Sequence, residues 1–160
     1  MQITLTLTFT ASCDRVADML IDPSFAEYVG KEINAENVTT TSIPKGLTAV
    51  YTVAAPEKAG RILGSQMTLT ETVLWDDDGD PDGSRTGRLT ITISGVPASA
   101  TGGIRLAPTP TGSTMAYDAD FTIRIPLIGK KLEQMTQQYL TQIITACEKV
   151  GNQWLNPDPQ

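Results

Sequence analysis

Along the first residues, Ile3, Leu5, Leu7 and Phe9 alternate with Thr4, Thr6, Thr8 and Thr10. Alternation at a period of two puts one set on a core and the other in water, which predicts a half-buried strand. The period then changes. Val16, Ala17, Met19 and Leu20 follow helical spacing behind Ser12, a good N-cap residue, with Asp14 favourable in the first turn. Asp22 and Pro23 restart a second short helix that carries Phe25 to Ile33 and is weakened at its far end by Gly30. From Asn37 to Ile125 the chain returns to strand patterning, over 36–43, 47–54, 65–76, 85–94, 99–107 and 114–125. Turn residues separate these runs at 44–46, 76–83, 95–99 and 108–113. Loops that short join antiparallel neighbours, so the six runs form a meander.

The last element is a helix from Leu127 to Leu155, on the order of 40 Å long at about 1.5 Å per residue. Ile128, Leu132, Met135, Tyr139, Ile143, Cys147, Val150 and Trp154 recur every three or four positions and make one apolar stripe. Lys130, Lys131, Glu133, Gln137, Gln138 and Lys149 fall mostly off it, and Gly151 is a weak point near the end. A stripe of that length needs an apolar partner of similar length, and the sheet's inner face is the one the sequence offers. With no repeat and no long linker, the expectation is a single domain over 1–155 followed by a short tail at 156–160.

Composition narrows the functional classes. The net charge is −6, with no basic cluster, which argues against nucleic acid or anionic lipid headgroups as partners. There is no histidine, which removes Ser-His-Asp and Cys-His catalysis and His-ligated zinc. The two cysteines, Cys13 and Cys147, lack CxxC spacing and read as reduced thiols of a cytoplasmic protein. No run approaches the roughly 18 apolar residues of a membrane span, so no integral membrane association is expected.

Element order carries a resemblance. A strand, two short helices, six strands and a long C-terminal helix resemble the START-like helix-grip (SRPBCC) superfamily, which includes birch-pollen-allergen-like proteins and polyketide cyclases/aromatases. "FTIRIPLIGKKLEQ" followed by "CEKVGNQWL", with Pro126, Gly129 and Trp154, looks like an actinobacterial branch of it. The resemblance implies an α+β fold in which a seven-stranded curved antiparallel sheet wraps the C-terminal helix around a cavity. It implies no cofactor and no catalytic residue.

The walls of such a cavity can be read from strand parity. Tyr51, Met67, Leu69, Glu71, Trp75, Ile91, Tyr117 and Phe121 fall on inward positions of the strands, and Leu132, Met135, Tyr139 and Ile143 lie on the helix. They serve equally as plain core or as an adaptable apolar lining with a few hydrogen-bonding points. Glu71 is the outlier. A carboxylate inside an apolar stripe needs a partner or a raised pKa, unless a bulge turns it outward. Arg105 and Arg88 are the candidate partners, although Arg88 falls on the outer face by parity.

Two other features have ordinary explanations. Asp78, Asp80, Asp82 and Gly83 match the start of an EF-hand loop, but Leu89 stands where its final glutamate belongs, Pro81 stiffens the segment and strands flank it. A hairpin turn explains the segment and no metal site is expected. Cys13 opens the first short helix, where the dipole can lower a thiol pKa, yet no histidine or nearby cysteine supports catalysis.

The leading expectation is a protein that binds a hydrophobic small molecule or lipid between sheet and helix. The alternatives are a polyketide cyclase/aromatase-like enzyme using Glu71, Tyr117 and Tyr139 in that cavity, and a protein-interaction module presenting the loop near 60–64 or a sheet edge. Binding is favoured over catalysis, because an enzyme needs two polar groups converging on one point.

Overall fold

The computed structural model describes residues 2–55, 57, 64–76, 79–94, 98–123 and 129–157, without the side chains at 129–133, 135–137, 139–140 and 143. Strand β1 (Gln2–Phe9) leads into helices α1 (Cys13–Leu20) and α2 (Pro23–Glu32). Six strands follow: β2 (Asn37–Ile43), β3 (Gly46–Ala54), β4 (Gln66–Trp75), β5 (Arg85–Ile93), β6 (Ala98–Thr109) and β7 (Gly112–Ile123). Helix α3 (Gly129–Leu155) closes the sequence of elements.

The local signals act as their chemistry dictates. Ser12 accepts a hydrogen bond from the Arg15 amide at 3.3 Å and starts α1. Asp22 accepts from the Ser24 amide at 2.9 Å with Pro23 in the first turn, which starts α2. Each N-cap side chain satisfies a donor that the helix itself leaves free.

All neighbouring strands are antiparallel, in the order β1-β7-β6-β5-β4-β3-β2. The meander β2 to β7 is therefore completed by β1, which returns to pair with β7. This is the α+β helix-grip arrangement, a curved seven-stranded sheet holding a long helix. Ends shift by one or two residues from the sequence reading, most at β7, which starts at Gly112 and whose expected last residues 124–125 lie outside the described residues. Pro126 and the expected first helical residues, Leu127 and Ile128, are also outside them.

Only one face of the sheet is apolar, and it carries the core. Met67, Leu69, Val73 and Trp75 from β4 join Leu89, Ile91 and Ile93 from β5 and Met115, Tyr117, Ala119 and Phe121 from β7. Helix α3 packs against β1, β7, α1 and α2. Its buried side includes Ile144, Val150, Gly151 and Leu155, with Cys147 and Trp154 partly covered. Phe25 and Tyr28 of α2 meet the Trp154 ring edge-on, each with centroids 5.9 Å apart. Gly151 is a close-approach site and not a weak point: a β-carbon there would lie 2.7 Å from Phe9 Cε1 and 3.0 Å from Met19 Cε. Among the described residues, no helix is long and apolar enough to cross a membrane.

Candidate functional site

Glu71 sits in the middle of β4, opposite Ala49 of β3 and Ile91 of β5. The pairing runs without a bulge from Gly46↔Leu74 to Ala54↔Gln66, so Glu71 keeps the parity of its buried neighbours Leu69 and Val73. The carboxyl faces inward. The same cross-strand row continues through Ile91 to Ala100 and Phe121. Two of its members are alanines, which leaves the carboxyl short of bulky neighbours.

Above it lies a cavity of about 30 Å³. Leu20, Phe25, Ala26 and Val29 of the short helices form one side, and Ile144 and Cys147 of α3 form another. The floor is Leu47 and Tyr51 of β3, Glu71 and Val73 of β4, Leu89 of β5, Ile104 of β6 and Met115 of β7. Glu71 is the one charged side chain among the described wall residues.

Burial pushes the Glu71 carboxyl up to about 7, because an apolar wall replaces the water that would solvate its charge. Its field is felt by its neighbours. Burial raises the Tyr51 and Tyr117 phenols and the Cys147 thiol, and the Glu71 charge raises each further. The Tyr117 hydroxyl is buried with no hydrogen-bond partner among the described residues. The expected arginine partners are elsewhere. Arg88 and Arg105 are exposed, and Arg105 Nη2 reaches Ser84 Oγ at 3.5 Å. Each follows the outward parity of its strand, so neither can meet Glu71.

Of the residues picked from sequence as lining, Tyr51 and Glu71 are on the cavity wall. Met67, Leu69, Ile91, Tyr117 and Phe121 share the inner face but are core around it. Trp75 is tied down: its Nε1 donates to the Ala17 carbonyl at 3.2 Å, and the Arg85 guanidinium lies 5.6 Å from the ring centre. The side chains of Leu132, Met135, Tyr139 and Ile143 lie outside the described residues. Among the wall residues not picked from sequence as lining is the whole side formed by α1 and α2. Their signal was present, since Phe25, Ala26 and Val29 have the three- and four-residue spacing of one helical face. Nothing local says that this face looks onto Glu71.

The two other features singled out from sequence sit in ordinary local surroundings. Cys13 is buried, and burial together with the adjacent Asp14 raises its thiol pKa in opposition to the helix terminus. In the acidic turn, Asp82 Oδ1 accepts from the Ser84 amide at 2.9 Å and lies 2.6 Å from Ser84 Oγ, which is 3.1 Å from Asp80 Oδ2. Those bonds hold the Asp82 carboxyl below its usual value and give the aspartates a turn-forming task. Among the described residues no three metal-ligating side chains gather. Asp77, Asp78 and residues 60–63 of the loop considered for protein contact lie outside them.

No curated protein matches the chain by sequence. Solved structures share its fold at low identity. A Thermus thermophilus protein, TTHA0849, is 14% identical with a TM-score of 0.64, covering 94% of this chain and 93% of its own. Protein Ms6760 from Mycobacterium smegmatis is 14% identical with a TM-score of 0.62, covering 97% and 90%. Ara h 8.0201 is 11% identical with a TM-score of 0.60, covering 93% and 95%. Residues 4–155 match the family described as Protein of unknown function (DUF2505), and the chain belongs to that family.

Proposed function

We propose that this domain binds a hydrophobic small molecule or lipid between the sheet and α3, with Glu71 as its polar anchor. The observation that supports this most is an inward carboxyl on a cavity wall with no hydrogen-bond partner among the described residues, close enough to Tyr51, Tyr117 and Cys147 to shift all three. Buried polar groups in folded proteins are paired almost without exception, and unpaired ones gather where a ligand supplies the partner. The affinity would come from the apolar wall, at about 25 cal/mol per Å² of ligand surface removed from water, less the cost of association. A space of about 30 Å³ holds about one water, so uptake parts the side chains of the seam. Met115, unbranched and adaptable, is the wall side chain best suited to swing aside. The actinobacterial affiliation read from Pro126, Gly129 and Trp154 and a cytoplasmic location belong to the same proposal.

The test is extraction of the purified protein with organic solvent followed by mass spectrometry, together with titration of Nile red, a neutral apolar dye. A co-purifying apolar compound, or saturable dye uptake that Leu20→Trp abolishes, is the expected result. An empty extract with no dye uptake would remove the proposal.

A further inference from the structure

We infer that the cavity selects apolar molecules bearing a cationic nitrogen or hydroxyl donor, amines ahead of alcohols, and rejects carboxylates. This rests on the ligand-binding reading above and adds the ligand's chemistry to it. The charges within reach of the site decide the matter. Glu71 is flanked by Ala49 and Ile91 across the sheet and by Leu69 and Val73 along its strand. The polar groups that feel it from β3, β7 and α3 are the Tyr51 and Tyr117 phenols and the Cys147 thiol. None of these is a cation. The described basic side chains are spoken for or point away: Arg85 pairs with Asp14 at 3.1 Å, Lys149 pairs with Glu32 at 2.8 Å, Arg15 donates to the Leu155 carbonyl at 3.1 Å, and Lys31, Lys45, Arg88 and Arg105 are exposed.

Where Glu71 is ionised, a ligand carboxylate would bring a second negative charge into an apolar space with no cation among the described residues to meet it. An ammonium group brings the charge that Glu71 lacks, and a hydroxyl brings a donor without charge. At neutral pH part of the Glu71 population is protonated. When R–NH3⁺ binds that form, the carboxyl O–H bond breaks, the proton goes to solvent, and an ammonium–carboxylate pair remains. Amine affinity must therefore rise with pH until Glu71 is fully ionised.

The experiment is calorimetric titration of the full chain with octylamine, octan-1-ol and octanoate between roughly pH 6 and pH 8, repeated with Glu71→Gln. Octylamine is expected to bind tightest and to gain about tenfold across that range, the consequence of a carboxyl titrating at its midpoint. Octanol should be flat with pH, and octanoate about tenfold or more weaker than octanol. Glu71→Gln should flatten the amine profile and narrow the gap between octanol and octanoate. Octanoate binding as well as octylamine to the unaltered chain would overturn the selectivity and leave the pocket standing. A pH slope that survives in a folded Glu71→Gln protein would also overturn it. Failure of all three probes to bind would remove the pocket as well.

Discussion

Where the end of α3 meets β1, polar groups find partners from two elements at once. Asn152 Nδ2 donates to the Thr8 carbonyl at 2.9 Å, its Oδ1 accepts from the Thr10 amide at 3.0 Å, and Glu148 Oε2 accepts from the Thr8 amide at 2.9 Å. Arg15 of α1 donates to the Leu155 carbonyl at 3.1 Å. The free edge of β1 is thereby paired with helix side chains, which protects a strand that would otherwise offer itself to other chains. Gly151 lets the helix come close enough for those bonds. Over the middle of the sheet Ile144 and Cys147 of the same helix face the cavity that Glu71 lines, and nearby the Tyr117 hydroxyl is buried with no partner among the described residues. One end of the seam is a clamp, and the middle holds a small apolar cavity with one carboxyl on its wall. The contrast teaches that closure of one helix on one sheet does not serve all polar groups alike: the α3–β1 end pairs them across two elements, whereas the Tyr117 hydroxyl, in the core beside the cavity, is buried without a partner among the described residues.

The largest expected effect breaks the clamp. Gly151→Leu drives a side chain into Phe9 and Met19 and should destabilise the fold by about 2–3 kcal/mol, as overpacked cores do. Thermal and urea denaturation would show it, and an unchanged midpoint would mean that the helix end can lift away freely.

Next comes the pH response of the middle. The folded Glu71 value of about 7 lies above its ordinary 4.5, so between those values the folded chain holds a proton that the unfolded chain has lost. Stability from this group is full at low pH, falls as pH rises from about 4.5 to about 7, and stays flat above. The loss should be on the order of 2 kcal/mol, allowing for the partial exposure of the carboxyl to the cavity. Denaturation of the native chain and Glu71→Gln at roughly pH 5 and pH 8 checks the sign: the variant should lack that decline and be the more stable protein at the higher pH.

The smallest effect is the sharpest comparison. Ser113 Oγ is buried and donates to the Ala11 carbonyl at 2.8 Å, so Ser113→Ala should cost about 1 kcal/mol. The Tyr117 hydroxyl is buried without a partner, so Tyr117→Phe should be neutral or stabilising by up to about 1 kcal/mol. Equal losses in both variants would erase the distinction between the two regions.

The chain's own pattern determined the element order, the inward and outward parity of the strands, and the capped starts of α1 and α2, because each depends on residues within a turn or two of one another. Parity alone put Glu71 in an apolar stripe. What only the tertiary structure decided was its company: no arginine across the sheet among the described residues, the α2 face above it, Cys147 beside it. The same holds for Trp75, whose donor is taken by Ala17 far away in sequence, and for Gly151, whose missing side chain matters because of Phe9. Neighbours brought together by the sheet's register and the helix's closure leave no periodic trace in the sequence, since periodicity records which side of an element is buried and not what it is buried against.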